Sequence, residues 1–180
     1  HAVSATAMQV HSSMGAVANG GILMKPQFIH RIFDNEGKTV VTFNPKPVRR
    51  VIGSRLTDSV TEMLVGVVSA EGTATQARIE GFDIAGKTGT TKKLIEGQYS
   101  NRHHVASFVG FFPAEDPQVV ITVVVDEPKM KAGRTGYGGV VAAPAFQRVG
   151  KGIIAYLGLK PKPKESKTFA QRKGRTRSAL

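Results

Sequence analysis

Residues 104–125 leave the chain few options. Gln118-Val-Val-Ile-Thr-Val-Val-Val125 is a nearly continuous apolar run, far short of the roughly 18 residues of a membrane span. Residues 104–112 read as a second strand, and Pro113-Ala-Glu-Asp-Pro117 between the two reads as a turn. The pair is therefore predicted to be antiparallel. A strand apolar along its length is buried on both faces, which predicts helices on both sides of the sheet.

The rest of the chain supplies those helices. Ala7, Val10, Met14 and Val17 recur at helical spacing within residues 5–19, and Asn19-Gly20-Gly21 stops the pattern. Residues 54–70 form the clearest helix, with Ser54 as N-cap and Leu56, Val60, Met63, Leu64, Val67 and Val68 along one face. A last helix is predicted over residues 141–157 after Gly138-Gly139. Its stripe is Phe146, Val149, Ile153 and Leu157, with Pro144 in the tolerated first turn. Residues 27–34 and 38–43 read as a hairpin around Asn35-Glu36-Gly37, and Pro45 and Pro47 then break regular structure. Residues 83–92 read as a further strand. Helices, then strands, then a helix place the chain in the α+β class. Its 180 residues hold about one domain, and a hydrophobic fraction of 41% is enough for a core.

Charge and cysteine exclude whole classes. The chain has no Cys, so disulfide scaffolds and thiolate metal sites are ruled out. The net charge is +12, unevenly spread. Residues 160–180 carry +7 through Lys160, Lys162, Lys164, Lys167, Arg172, Lys173, Arg175 and Arg177 against Glu165. Residues 159–180 are expected to form a disordered basic tail, because so polar a segment buries too little to fold alone. Phe169 is its one aromatic, so nothing supports base stacking, and no nucleic acid is expected.

Gly81-Phe-Asp-Ile-Ala-Gly86-Lys87-Thr88 fits the phosphate-loop pattern, and Val119–Val125 followed by Asp126-Glu127 resembles a Walker B strand. A nucleotide-binding hydrolase is therefore one alternative. A phosphate loop needs a buried strand before it and a helix after it, so that amide N–H groups meet the phosphates. The Thr-Gln-Ala-Arg-Ile-Glu before Gly81 is no buried strand. Gly89 and Gly97 interrupt the segment after Thr88, and Phe82 and Ile84 are bulky inside the loop.

The same stretch contains Lys87-Thr88-Gly89, a signature of penicillin-binding proteins and class A β-lactamases. As a tripeptide it is weak, but its surroundings strengthen it. Ala85-Gly-Lys-Thr-Gly-Thr90 resembles the Lys-Thr-Gly-Thr strand of a penicillin-binding transpeptidase. His1–Gln9, Ala18–Pro26, Gly66–Ala74, Val105–Pro113, Val124–Pro128 and Gly138–Phe146 resemble that family's flanking segments in order. The resemblance covers about residues 1–158 and points to class B penicillin-binding proteins, with the cell-division type favoured.

That resemblance implies a fold and a chemistry. The fold would be an antiparallel sheet with helices on both faces. Strands 83–92, 104–112 and 118–126 would belong to a five-stranded sheet completed by residues outside this chain. The activity would be peptidoglycan D,D-transpeptidation: acyl transfer from stem peptides ending in D-Ala-D-Ala through a serine acyl-enzyme, with β-lactams as inhibitors. The resemblance assigns Thr90 an oxyanion-hole backbone N–H, where losing one donor typically costs roughly 3–4 kcal/mol. Lys87 would give the pocket positive potential, and Thr88 and Thr90 would hydrogen-bond the substrate carboxylate. Gly89 would leave room for the substrate backbone. No metal and no cofactor are implied. The parent would be anchored by an N-terminal helix, act outside the cytoplasmic membrane and partner other division proteins.

The departures are equally informative. No S-x-x-K and no S-x-N occur in the 180 residues, and Tyr99-Ser100-Asn101, a Y-x-N, comes after Lys-Thr-Gly where the family's second motif precedes it. That tripeptide is read as a coincidence in a loop. The chain opens on His1 and is expected to be the C-terminal part of a transpeptidase domain. It would be inactive alone, because nucleophile and base act as a unit. A non-catalytic interaction module with a basic tail is the remaining alternative. His103 and His104 would point to opposite faces of a strand, which argues against a metal pair. Asp126 and Glu127 read as solvated turn residues, His11 as core or surface, and Gly133–Gly139 as a loop bordering the cleft.

Overall fold

The computed structural model describes residues 3–129 and 136–162, apart from the side chains of residues 101 and 102. Helix α1 spans Ala7–Ala18 and starts with a capping box. The Gln9 amide donates to Thr6 Oγ1 at 3.2 Å, and the Thr6 amide donates to Gln9 Oε1 at 2.8 Å, so two otherwise orphan donors are satisfied. Strand β1 (Ile22–Met24) comes next and pairs antiparallel with β4 (Pro47–Arg50). Between them β2 (Arg31–Phe33) pairs with β3 (Thr39–Thr42). Asp34 closes their turn by accepting from the Glu36 and Lys38 amides, while Gly37 takes φ 81°.

Helix α2 spans Ser54–Val68, and a 3₁₀ turn covers Thr75–Ala77. Three long strands come after it: β5 (Ala85–Ile95), β6 (Gln98–Phe112) and β7 (Val119–Asp126). They form an antiparallel sheet in the order β5-β6-β7, with Gly89 opposite Ser107 and Gly110 opposite Ile121. Helix α3 (Gly138–Leu157) closes the body, and Gly158 ends it in the left-handed conformation.

Strand alternation divides the core in two. Phe108 and Phe112 point to the α3 face and meet Phe146 edge-on, with ring centres 4.8 and 6.0 Å away. Val109 and Phe111 point the other way, onto Met14 of α1 and Leu64 and Val65 of α2. Helices do flank both faces, as the apolar run predicts, and the α+β class holds.

Several local expectations are corrected. Pro47 starts a strand rather than breaking structure: a proline is tolerated as the first residue of an edge strand, where no ladder donor is required of it. The hairpin strands are shorter than predicted, at 31–33 and 39–42. The N-cap of α2 is Gly53, one residue before the expected Ser54, and no side chain caps it. Leu56 and Met63 of the predicted stripe are 56% and 73% exposed, while Thr57 and Thr61 are buried. The threonines can be buried because their hydroxyls donate to the carbonyls of Ser54 and Thr57.

Helix α3 starts three residues early, at Gly138, so Pro144 lies in its second turn. Its buried side is Ala142, Ala143, Phe146 and Gly150, while Val149 and Leu157 face solvent. Tyr99 and Ser100 sit in β6 rather than in a loop, because β5 and β6 run on past the predicted ends to a turn at Glu96-Gly97 with φ 50° and 79°. Ile121 is the one buried residue of β7, and Val124 is 47% exposed.

Candidate active site

Lys87, Thr88, Gly89 and Thr90 occupy the first half of β5. This strand bonds β6 on one side and no other strand among the described residues. Its outer edge therefore presents backbone N–H and C=O groups at alternate residues. No helix starts near Thr88, so the phosphate-loop alternative fails: its amides are committed to a strand, where they cannot converge on a phosphate.

Alternation separates the four residues. Thr88 and Thr90 lie on the α3 face, and Lys87 and Gly89 on the other. Thr88 Oγ1 is 3.3 Å from Thr73 Oγ1, in the loop after α2. Thr90 Oγ1 accepts from the Gly138 amide at 3.3 Å. Gly138 is the first residue of α3, and the N-cap Tyr137 contributes no side-chain bond. Thr90 thus satisfies an orphan donor of a distant helix. Because its oxygen accepts there, its proton can be donated outward. The positive end of a 20-residue helix lies beside it. Lys87 is exposed, and its ammonium donates to the Thr88 carbonyl at 3.0 Å.

Glycines make this contact possible. A Cβ on Gly138 would overlap the Ser107 carbonyl and crowd Gly89 O at 2.7 Å, and one on Gly139 would overlap the Thr73 carbonyl. A Cβ on Gly89 would lie 2.5 Å from Ser107 Oγ. Part of the space at Gly89 is thus taken up within the sheet. Sequence reading missed Ser107, Thr73 and the direct role of Gly138. The Gly138-Gly139 pair was the available signal, but only as a helix boundary.

The other candidates disperse. Lys93 bridges Asp126 at 3.1 Å and Glu127 at 2.8 Å, and His103 Nδ1 is 3.3 Å from Glu127. These acids are paired at the sheet surface rather than solvated alone. Hydrogen bonding to Lys93 holds the Glu127 carboxyl below its ordinary range, and the same contacts raise Lys93. His104 points to the opposite face, where Nε2 lies 3.0 Å from Gly136 O. His11 Nδ1 is 3.0 Å from Thr122 Oγ1, half-buried between α1 and β7. Among the described residues no cluster of His, Asp and Glu could hold a metal. Residues 133–135 of the Gly133–Gly139 loop lie outside the described residues, as do residues 163–180 of the expected tail, whereas its first residues, 159–162, do not run free as expected: Leu159 packs on the core and the Lys162 amide bonds the Gly81 carbonyl.

Known proteins share this sequence pattern and fold. The sequence profile of the penicillin binding protein transpeptidase domain matches residues 1–151. Stage V sporulation protein D of Bacillus subtilis is 38% identical over 161 residues, which is 89% of this chain and 24% of that protein. The probable peptidoglycan D,D-transpeptidase PenA of Neisseria flavescens is 42% identical over 113 residues, 63% of this chain and 28% of that protein. Among solved structures, the D,D-transpeptidase domain of a peptidoglycan glycosyltransferase from Eggerthella lenta superposes with a TM-score of 0.74 at 31% identity, covering 87% of this chain and 33% of that one. Penicillin binding protein 3 of Mycobacterium tuberculosis, complexed with ampicillin, gives 0.81 at 25% identity, covering 94% and 38%. The chain spans about a quarter of the length of the curated relatives it matches.

Proposed function

The chain belongs to the penicillin-binding protein transpeptidase domain family, and from that premise we propose that it forms one wall of the active site of a peptidoglycan D,D-transpeptidase. The observation that carries the proposal is the Lys87–Thr90 strand, whose outer edge bonds no other strand among the described residues and whose Thr90 is braced by the start of α3. The substrate would be a stem peptide ending in D-Ala-D-Ala. A β-lactam would compete for the same edge.

In this reading a serine from outside the 180 residues attacks the penultimate carbonyl. The tetrahedral oxyanion is met by the Thr90 backbone N–H, and D-Ala leaves with the proton taken from the serine. An amine of a second stem peptide then displaces the serine oxygen and restores its proton. The terminal carboxylate of the donor peptide is held by the Thr88 and Thr90 hydroxyls. The outward proton of Thr90 and the helix end behind it favour an anion there. Lys87 contributes positive potential from the other side of the strand. All of this needs preorganised donors and no cofactor chemistry from this chain.

The nucleophile and its lysine base would be contributed by the part of the protein that carries S-x-x-K. The whole protein would be anchored in the cytoplasmic membrane, act on its outer side and work with other division proteins. Among the described residues no helix is long and apolar enough to cross a membrane.

Labelling with a fluorescent penicillin tests the reading. The longer protein should form a stoichiometric adduct, Lys87→Ala should lower the acylation rate constant by at least tenfold, and the 180-residue chain alone should stay unlabelled. A covalent adduct on this chain alone would place the nucleophile inside it. No adduct on the longer protein would remove the transpeptidase reading.

A further inference from the structure

After Gly158 the chain turns back across the body. Leu159 packs against the core on the α3 face, Pro161 lies over Gly81, and the Lys162 amide donates to the Gly81 carbonyl at 2.8 Å. Gly81 has φ 82°, and a Cβ there would overlap Pro161, so this approach depends on glycine. The Lys162 ammonium, 15% exposed, sits 2.5 Å from Asp83 and 2.9 Å from Glu115. Three segments distant in sequence meet at this one cation: the lead-in to β5, the turn between β6 and β7, and the residues after α3. The Ala114 amide also donates to the Asp83 carbonyl at 2.9 Å. Both carboxylates are mostly buried, so taking Lys162 away removes their shared cation from a poorly solvated place, which is more disruptive than breaking an exposed pair.

Asp83 stands four residues ahead of Lys87, about 13 Å along an extended strand. At the other end Thr90 is held by the start of α3. The Lys87–Thr90 segment, whose inner edge pairs with Ala106–Val109 of β6, thus has a further fixing on either side, one at each end of α3, a helix about 30 Å long.

We propose that Lys162 is a positioning residue for the site: the strap Leu159–Lys162 clamps the lead-in of β5 through Asp83 and Glu115 and so sets where Lys87–Thr90 lie. Its consequence for acylation rests on the transpeptidase reading, while the clamp itself does not.

The test uses the full-length protein that carries this chain. Hydrogen exchange is followed by mass spectrometry on a peptide covering residues 83–90 and on one covering residues 7–18 of α1, which packs on the same body. Penicillin acylation is measured on the same samples. Lys162→Ala is expected to speed exchange over 83–90 by tenfold or more, leave 7–18 unchanged, and slow acylation severalfold. Lys162→Arg should restore most of both. If Lys162→Ala does not fold, Asp83→Asn and Glu115→Gln should give smaller changes in the same direction. Unchanged exchange over 83–90, equal acceleration in both peptides, or slowed acylation that Lys162→Arg does not rescue would each overturn the proposal. A wild-type protein that penicillin never labels would count against the transpeptidase reading, and the exchange measurement would still decide the clamp.

Discussion

Strand β3 reads Thr-Val-Val-Thr, and β7 reads Val-Val-Ile-Thr-Val-Val-Val-Asp. The two are similar in composition but differ in surroundings. Every residue of β3 and of its partner β2 is exposed, with Phe33 at 54% and Val40 at 61%. In β7, Ile121 is buried, and Val119, Val120 and Val123 pack against one core cluster or the other. The difference lies in the helices. Helices α1 and α3 both pack on β7, whereas among the described elements β2 and β3 pack only on each other. A β-branched, apolar strand is a candidate for burial, and a second layer must arrive to bury it. Two strands alone are marginal in water, so the hairpin depends on its turn and its pairing.

That contrast can be broken most forcefully at Phe112. It is fully buried beneath α3 and touches Phe146 and Phe82 edge-on. Phe112→Ala should lower unfolding free energy by about 3–5 kcal/mol in a denaturant titration. Phe33→Ala in the hairpin should cost under about 1 kcal/mol, since most of that ring already faces water. Equal losses at the two positions would mean that the hairpin is covered in solution.

Smaller changes probe what each region depends on. Gly37→Ala should cost about 1 kcal/mol, because φ 81° is strained for any residue with a Cβ. That loss should appear as faster exchange within residues 31–42 and leave the sheet untouched. Thr61→Ala, on the buried face of α2, should cost about 1 kcal/mol through its lost hydrogen bond to the Thr57 carbonyl, and should shift the global transition.

The smallest effect concerns pH at the sheet surface. The Glu127 carboxyl is depressed by Lys93, so its contribution is present above the ordinary glutamate range and fades as pH falls through the lower folded value. Lys93 is raised, so its share is present below the ordinary lysine range and fades as pH climbs through the higher folded value. Both groups are exposed and screened by salt, so little global stability rides on them. An NMR titration of Glu127 should move upward in Lys93→Ala. An unmoved titration would show that the pair is open in solution.

The legibility of the fold tracked the strength of each local signal. Residues 104–126 announced two antiparallel strands because an apolar run, a Pro-bounded turn and a second run are all local features. Helix α1 was equally legible from its spacing and stop signal. Strands β1 and β4 were not, because they are three and four residues long and joined across 22 residues, so neither carries a periodic signal of its own. The stripe of α2 was misjudged at Thr57 and Thr61, where a hydroxyl bonded within its own helix behaves as a buried group. The extension of β5 and β6 to Glu96-Gly97 was hidden by polar composition, since pairing there is set by the ladder and not by burial.

The sequence alone determined the class, the order of the main elements and the family, because these depend on local spacing and on a contiguous Lys-Thr-Gly-Thr set in recognisable flanks. Tertiary structure alone decided which faces the four residues take, that Thr90 caps a helix 48 residues away, and that Lys162 reaches Asp83 across 79 residues. Such contacts join groups whose separation along the chain carries no periodicity. They exist only once the sheet and α3 are packed, and only then do a hydroxyl and an orphan amide, or an ammonium and two carboxylates, come within bonding distance.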